Sequence, residues 1–89
     1  MVEVRLDAML SEFVSRRSMR STARSVGALL DDLERRNPRL RHRLRDETHA
    51  LRPFVKVFVN GEEVGARDAP RTPLRPRDEV EILHSIQGG

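Results

Sequence analysis

The 89-residue sequence has no cysteine, tryptophan or tyrosine, and Lys56 is its only lysine. Without cysteine there can be no disulfide, no thiolate metal site and no thiol nucleophile. Three phenylalanines are the only aromatic residues, which leaves little surface for stacking nucleic-acid bases. No apolar run approaches the roughly 20 residues that a membrane-spanning helix needs. Met1 to Leu6 alternates apolar and charged residues, unlike a signal peptide, so a cytoplasmic location with no membrane contact is expected. Phosphate-cradling glycine loops and nucleophile elbows are also missing. His42, His49 and His84 are scattered, and Ser85 beside His84 lacks the third group that would orient a catalytic serine. Neither catalytic residues nor a metal site are therefore expected.

What is present suits one small folded unit with little room for a buried catalytic cavity. A hydrophobic share of 37% can build a core if the residues are correctly patterned, and 35% charged residues keep the surface solvated. The formal charge of +3 comes almost wholly from arginine, a balance that permits nucleic-acid binding without requiring it.

The pattern itself is legible. Val2, Val4 and Leu6 alternate with Glu3, Arg5 and Asp7, the period of a strand with one buried face. Ser15 to Arg24 is mostly serine and arginine with only Met19, Thr22 and Ala23 to pack, a weak strand signal. Ser25 is placed as an N-cap, and Val26, Leu29, Leu30 and Leu33 form one helical stripe opposite Asp31, Asp32, Glu34 and Arg35. That helix is predicted to run to about Arg36 and to end at Asn37-Pro38, with a further short helical turn around Leu40 and Leu44. Phe54 to Val59 reads as a strand reversed at Asn60-Gly61, Glu62 to Val64 starts the return, and Asp68 to Pro76 is a Pro-rich loop. Glu79 to Leu83 is the last strand. The order predicts an α+β fold, a mixed sheet packed on one main helix. Val2, Val4, Leu6, Val55, Val57, Val59, Val80 and Ile82 would face the leucine stripe. At about 25 cal/mol per Å² of buried apolar surface, such a core holds a small domain without metal or disulfide. Residues 1–84 form the expected domain and 85–89 a flexible tail.

That tail ends in Gly88-Gly89. Two residues without side chains can be drawn through a narrow channel of a partner and can lie against a nucleotide phosphate. A carboxylate is a poor acyl group until adenylation gives it a leaving group, after which sulfide, a persulfide or an amine can attack the carbonyl. Taken alone, a terminal glycine pair is better read as a frayed end.

The tail does not stand alone. Arg52 to Val64, then Thr72-Pro73-Leu74, then Asp78 to Leu83, then the terminal Gly-Gly resemble the ubiquitin-like sulfur carriers in that order. These include the small subunit of molybdopterin synthase, the sulfur carrier of thiamine biosynthesis and carriers serving cysteine synthesis. Val26 to Pro38 also looks like the family's single helix ending in Asn-Pro, so most of the chain is covered. The resemblance implies a β-grasp, ubiquitin-like fold and a thiocarboxylate at Gly89, with Gly88, Gln87 and Ile86 threaded into an adenylating enzyme of the ubiquitin-activating type. ATP would be used by that partner, a sulfur donor and a downstream sulfur-accepting synthase would complete the cycle, and no cofactor would be held permanently. The chain would be a cosubstrate rather than an enzyme. The missing cysteine fits, because a terminal carbonyl carries sulfur without a thiol. His84-Ser85-Ile86-Gln87 departs from the family's more apolar approach to the glycines, and Arg77 stands at a turn position often held by glycine.

Phe54 and Phe58 alternate away from the buried valines and Leu83 away from Ile82, so these three form a possible docking patch, or equally satellite packing under the Pro-rich loop. Two rival functions remain. The adenylated Gly89 could be joined to a lysine amine as a protein modifier. Alternatively, Arg35, Arg36, Arg39, Arg41, Arg43 and Arg45 could bind nucleic acid, a weaker reading because Asp31, Asp32, Glu34, Asp46 and Glu47 flank them.

Overall fold

The computed structural model describes residues 1–14 and 16–84. Five strands, β1 (Val2–Leu6), β2 (Ser18–Ser21), β3 (Val55–Val59), β4 (Glu62–Val64) and β5 (Glu79–His84), form one mixed sheet in the order β2-β1-β5-β3-β4. Among the described residues one α-helix, α1 (Val26–Arg36), covers one face. This is the α+β, β-grasp arrangement that the sequence implied. Only β1 and β5 run parallel, with Val4 opposite Val80 and Leu6 opposite Ile82, and every other neighbouring pair is antiparallel. The alternation of each strand therefore puts Val2, Val4, Leu6, Val80, Ile82, Val55 and Val57 on the helix side, where all are buried.

Helix α1 begins where Ser25 accepts the Ala28 N–H at 3.1 Å, closing one of the donors that a helix start leaves open. Its stripe of Val26, Leu29, Leu30 and Leu33 is fully buried. At the other end the Asn37 backbone and side-chain N–H groups both donate to the Leu33 carbonyl, at 2.9 and 3.1 Å, and Pro38 opens a 3-10 turn over Pro38–Leu40. Leu40 and Leu44 both reach the core, as expected of that turn. The Pro-rich segment is tied to the start of α1. Val26 N–H donates to the Thr72 carbonyl, Leu74 N–H donates to the Arg24 carbonyl, and Gly27 packs directly on Pro70.

Several expectations needed correction. The weak strand signal narrows to the four residues of β2, which uses Met19 and Ser21 as its inward pair, while Thr22 is exposed. Ser21 is tolerated there because its hydroxyl donates to Asp32 at 2.8 Å and accepts the Ala23 N–H. Val59, expected in the core, is only half-buried, because it lies at the end of β3 next to the short edge strand β4. The last strand extends one residue further, to His84. A 3-10 turn over Leu10–Phe13, which the sequence reading did not foresee, buries Leu10 completely.

Candidate functional site

Gly89, Gly88, Gln87 and Ile86 lie outside the described residues, so the site can be built only from its root, the end of β5. β5 is the middle strand of the sheet, hydrogen-bonded on both sides, which makes it the least deformable base from which a terminal segment can leave. Its final residue is held from a distant part of the chain. The Asp7 carboxylate accepts the His84 N–H through one oxygen and the Leu10 N–H, at 2.8 Å, through the other. The Asp7 N–H in turn donates to the Ile82 carbonyl. One carboxylate thus joins the end of β1, the start of the Leu10–Phe13 turn and the root of the tail. Beside this junction the Phe54 ring lies 5.8 Å from the His84 ring, tilted by 34°.

Of the three residues of the expected docking patch, Phe58 and Leu83 share the sheet face turned away from α1. Phe54 precedes β3, so strand alternation does not set its direction, and its ring turns to His84 instead. Leu83 sits opposite Lys56, and Phe58 sits opposite Glu81 on one side and Glu63 on the other. Lys56 and Glu63 are 3.8 Å apart across the same face. Phe58 and Leu83 are therefore half-buried diagonal neighbours among charged residues. The Pro-rich loop does not cover them, because it packs against α1 on the other face of the sheet.

The arginine run is also divided by the fold. Arg35 and Arg36 pair with Asp32, at 2.5 and 2.9 Å, near the helix C-terminus, where the backbone dipole favours cations. Arg45 is buried and held by Glu34 and Asp31, at 2.9 and 2.7 Å. Hydrogen bonding to Glu34 does most to raise its guanidinium pKa above the ordinary value, outweighing the burial that opposes it. Arg39 and Arg43 instead lie over the Phe13 ring, at 5.6 and 4.5 Å from its centre.

The sequence matches the model of the ThiS family over residues 4–89. The chain belongs to that family. Among its relatives, sulfur carrier protein CysO of Mycobacterium tuberculosis is 31% identical over 75 residues, covering 82% of this chain and 81% of that protein. A chain of the Amycolatopsis orientalis BexX/CysO complex superposes with a TM-score of 0.86 at 27% identity, each chain covered in full. The small archaeal modifier protein SAMP1 of Haloferax volcanii superposes at 0.83 with 26% identity, covering 99% of this chain and 98% of that one. Family and fold together make this a ubiquitin-like sulfur carrier or modifier, a small carrier rather than a catalyst. The root of the tail is held by residues that the family resemblance alone did not single out: Asp7 and the Leu10–Phe13 turn. Their only sequence signal is an aspartate three residues before Leu10, the spacing at which a side chain can accept the N–H of a turn.

Proposed function

We propose that the chain carries sulfur as a thiocarboxylate on Gly89. In the first step a Gly89 carboxylate oxygen attacks the α-phosphorus of ATP on an adenylating partner, forming an acyl adenylate and releasing pyrophosphate. In the second, a sulfide supplied by a donor attacks the acyl carbon, AMP leaves with the bonding electron pair, and loss of the sulfide proton leaves the thiocarboxylate. Downstream, that sulfur passes to an acceptor of a biosynthetic enzyme. The chain contributes no acid, base or metal to these steps. It supplies a terminal carboxyl preceded by Gly88, with Gln87 and Ile86 entering the partner's channel, and a folded body for the partner to hold.

The observation that carries the reading is the Gly-Gly end of a ThiS-family chain, separated by three residues from a central strand whose last residue is held by Asp7. Phe58 and Leu83 on the sheet, with Phe54 just before β3, are apolar contacts the folded body would offer a partner. Conjugation to a lysine amine is the second reading, favoured by the likeness to the SAMP1 modifier. The same adenylate serves both fates. Chains built through Lys56 are disfavoured, since that amine sits half-buried on β3 near Glu63.

Adding one residue after Gly89 tests the proposal. Activation by the adenylating partner should be lost while the thermal unfolding midpoint is unchanged, because β5 is complete at His84. Normal adenylation of the untrimmed, extended chain would overturn it.

A further inference from the structure

Along one side of the molecule three shallow hollows run into one another. The first lies beside β2 and α1 and is lined by Arg16, Arg20 and Arg36; the second, sharing Arg36 and Asn37, passes the end of α1 over Phe13 and Val14. The third, sharing Phe13, continues over Met9 and Leu10 between Arg43 and Arg52 and ends at Phe54 and His84, the root of the tail. Together they form a groove with an apolar floor and a basic rim. No aspartate or glutamate lines it among the described residues.

Some of this positive charge has a structural cause. Arg20 pairs with Glu3 at 3.0 Å, and Arg36 pairs with Asp32 and donates to the Arg20 carbonyl. Arg39 and Arg43 differ. Each lies beyond the helix, neither meets a carboxylate within ion-pair distance among the described residues, and both are held in place over Phe13. Cations fixed on an aromatic ring lose less side-chain entropy when an anion binds, and an apolar floor beside them rewards a ligand that is not uniformly charged.

We propose that this groove binds an acidic, partly apolar segment of a partner protein, laid from the β2 edge to the root of the tail. Charge complementarity selects the occupant. The rim calls for carboxylates, and the exposed Met9 and half-buried Val14 beside it call for apolar side chains between them. A nucleic acid meets the charge but not the floor. Of the three phenylalanines, Phe13 is already engaged by two guanidinium groups, Phe54 by His84, and Phe58 lies on β3 away from the groove, so no ring is left as a stacking platform. The groove differs from the Phe58 and Leu83 surface and gives the partner a second hold that ends where the reactive segment begins. Binding here does not depend on sulfur chemistry at Gly89.

The test uses the whole chain without ATP or a sulfur donor. The probe is a short synthetic peptide alternating glutamate with leucine, and a single-stranded oligonucleotide of equal charge is the comparison. Amide shifts on peptide addition should concentrate at Phe13, Arg39, Arg43 and His84, and affinity should fall as salt is raised. Reversing the free pair, Arg39→Glu with Arg43→Glu, should weaken peptide binding about tenfold or more. Arg67→Glu with Arg71→Glu, on the segment packed at the opposite end of α1, should change it little. Because the reversal removes the Phe13 stack, Arg16→Glu and the milder Arg39→Gln with Arg43→Gln are measured alongside, each with its unfolding midpoint. Equal weakening by the Arg67 and Arg71 pair, tighter binding of the oligonucleotide, or shifts spread over the sheet would each overturn the proposal. Failure of Gly89 to be adenylated would leave these outcomes unaffected.

Discussion

Arg77 holds a backbone φ of 76°, a left-handed conformation that costs a residue with a Cβ about 1–2 kcal/mol. The turn requires it: Arg77 N–H donates to the Met1 carbonyl at 2.9 Å, and Asp78 accepts the Arg75 N–H just before β5 begins. Replacing Arg77 by glycine relieves the strain but frees the unfolded chain, so the net gain is expected to be about 0.5–1 kcal/mol in denaturant unfolding. A loss instead would mean that the side chain does something the fold depends on. At this scale the sequence was partly legible. The unusual residue at a glycine position could be seen, and Asn60-Gly61 announced its own positive φ angles of 51° and 86°. Asp7 could not be read in this way, because its acceptor role joins residues 77 positions apart and no local pattern encodes such a pair.

Among the elements, α1 is fixed at its start more firmly than its leucine stripe suggests. Gly27 lies one residue inside the helix, and a Cβ built there would stand 2.7 Å from the Pro70 carbonyl oxygen, a backbone atom of the Pro-rich segment. Gly27→Ala would favour the helix by about 1 kcal/mol on propensity alone. The clash forces either α1 or the Ala69–Arg71 turn to shift, and overpacking of this kind costs about 1–3 kcal/mol. The substitution is therefore expected to destabilise the fold by up to about 2 kcal/mol, measured by denaturant unfolding; a stabilised protein would show that the segment is loosely held. Strands β1, β3 and β5 and helix α1 were legible because each repeats its apolar residues at its own period. β2 was faint, since an edge strand needs only one buried face and uses Ser21 as well as Met19 to fill it. The Leu10–Phe13 turn was not legible, because a single buried leucine has no period. For a related reason Phe54 could not be placed from the pattern: alternation can be carried through β3 but not to Phe54, which precedes it.

At the scale of the whole molecule, acid sensitivity follows from two half-buried turn carboxylates. Asp46 is held below the usual aspartate range chiefly by the Thr48 hydroxyl and then by the Thr48 N–H, and Asp78 chiefly by the Arg75 N–H and then by the Asn60 side chain. Both lose their protons more readily in the folded chain than in the unfolded one. Their contribution is thus complete above the ordinary aspartate pKa of about 3.9 and is lost as pH falls through the lower folded values. Thermal midpoints should stay level from neutral pH down to about 5 and then decline. An Asp78→Asn variant should flatten that decline, and an unchanged slope would show that other groups set it. The body that these interactions hold together exists, on this account, to present Gly89. The most direct measurement is the intact mass of the chain after incubation with ATP, an adenylating partner and a sulfur donor, with the C-terminal fragment isolated. The account predicts that one oxygen at Gly89 is replaced by sulfur; a partner proven active on another carrier that leaves Gly89 unchanged, or joins it only to lysine amines, would contradict it.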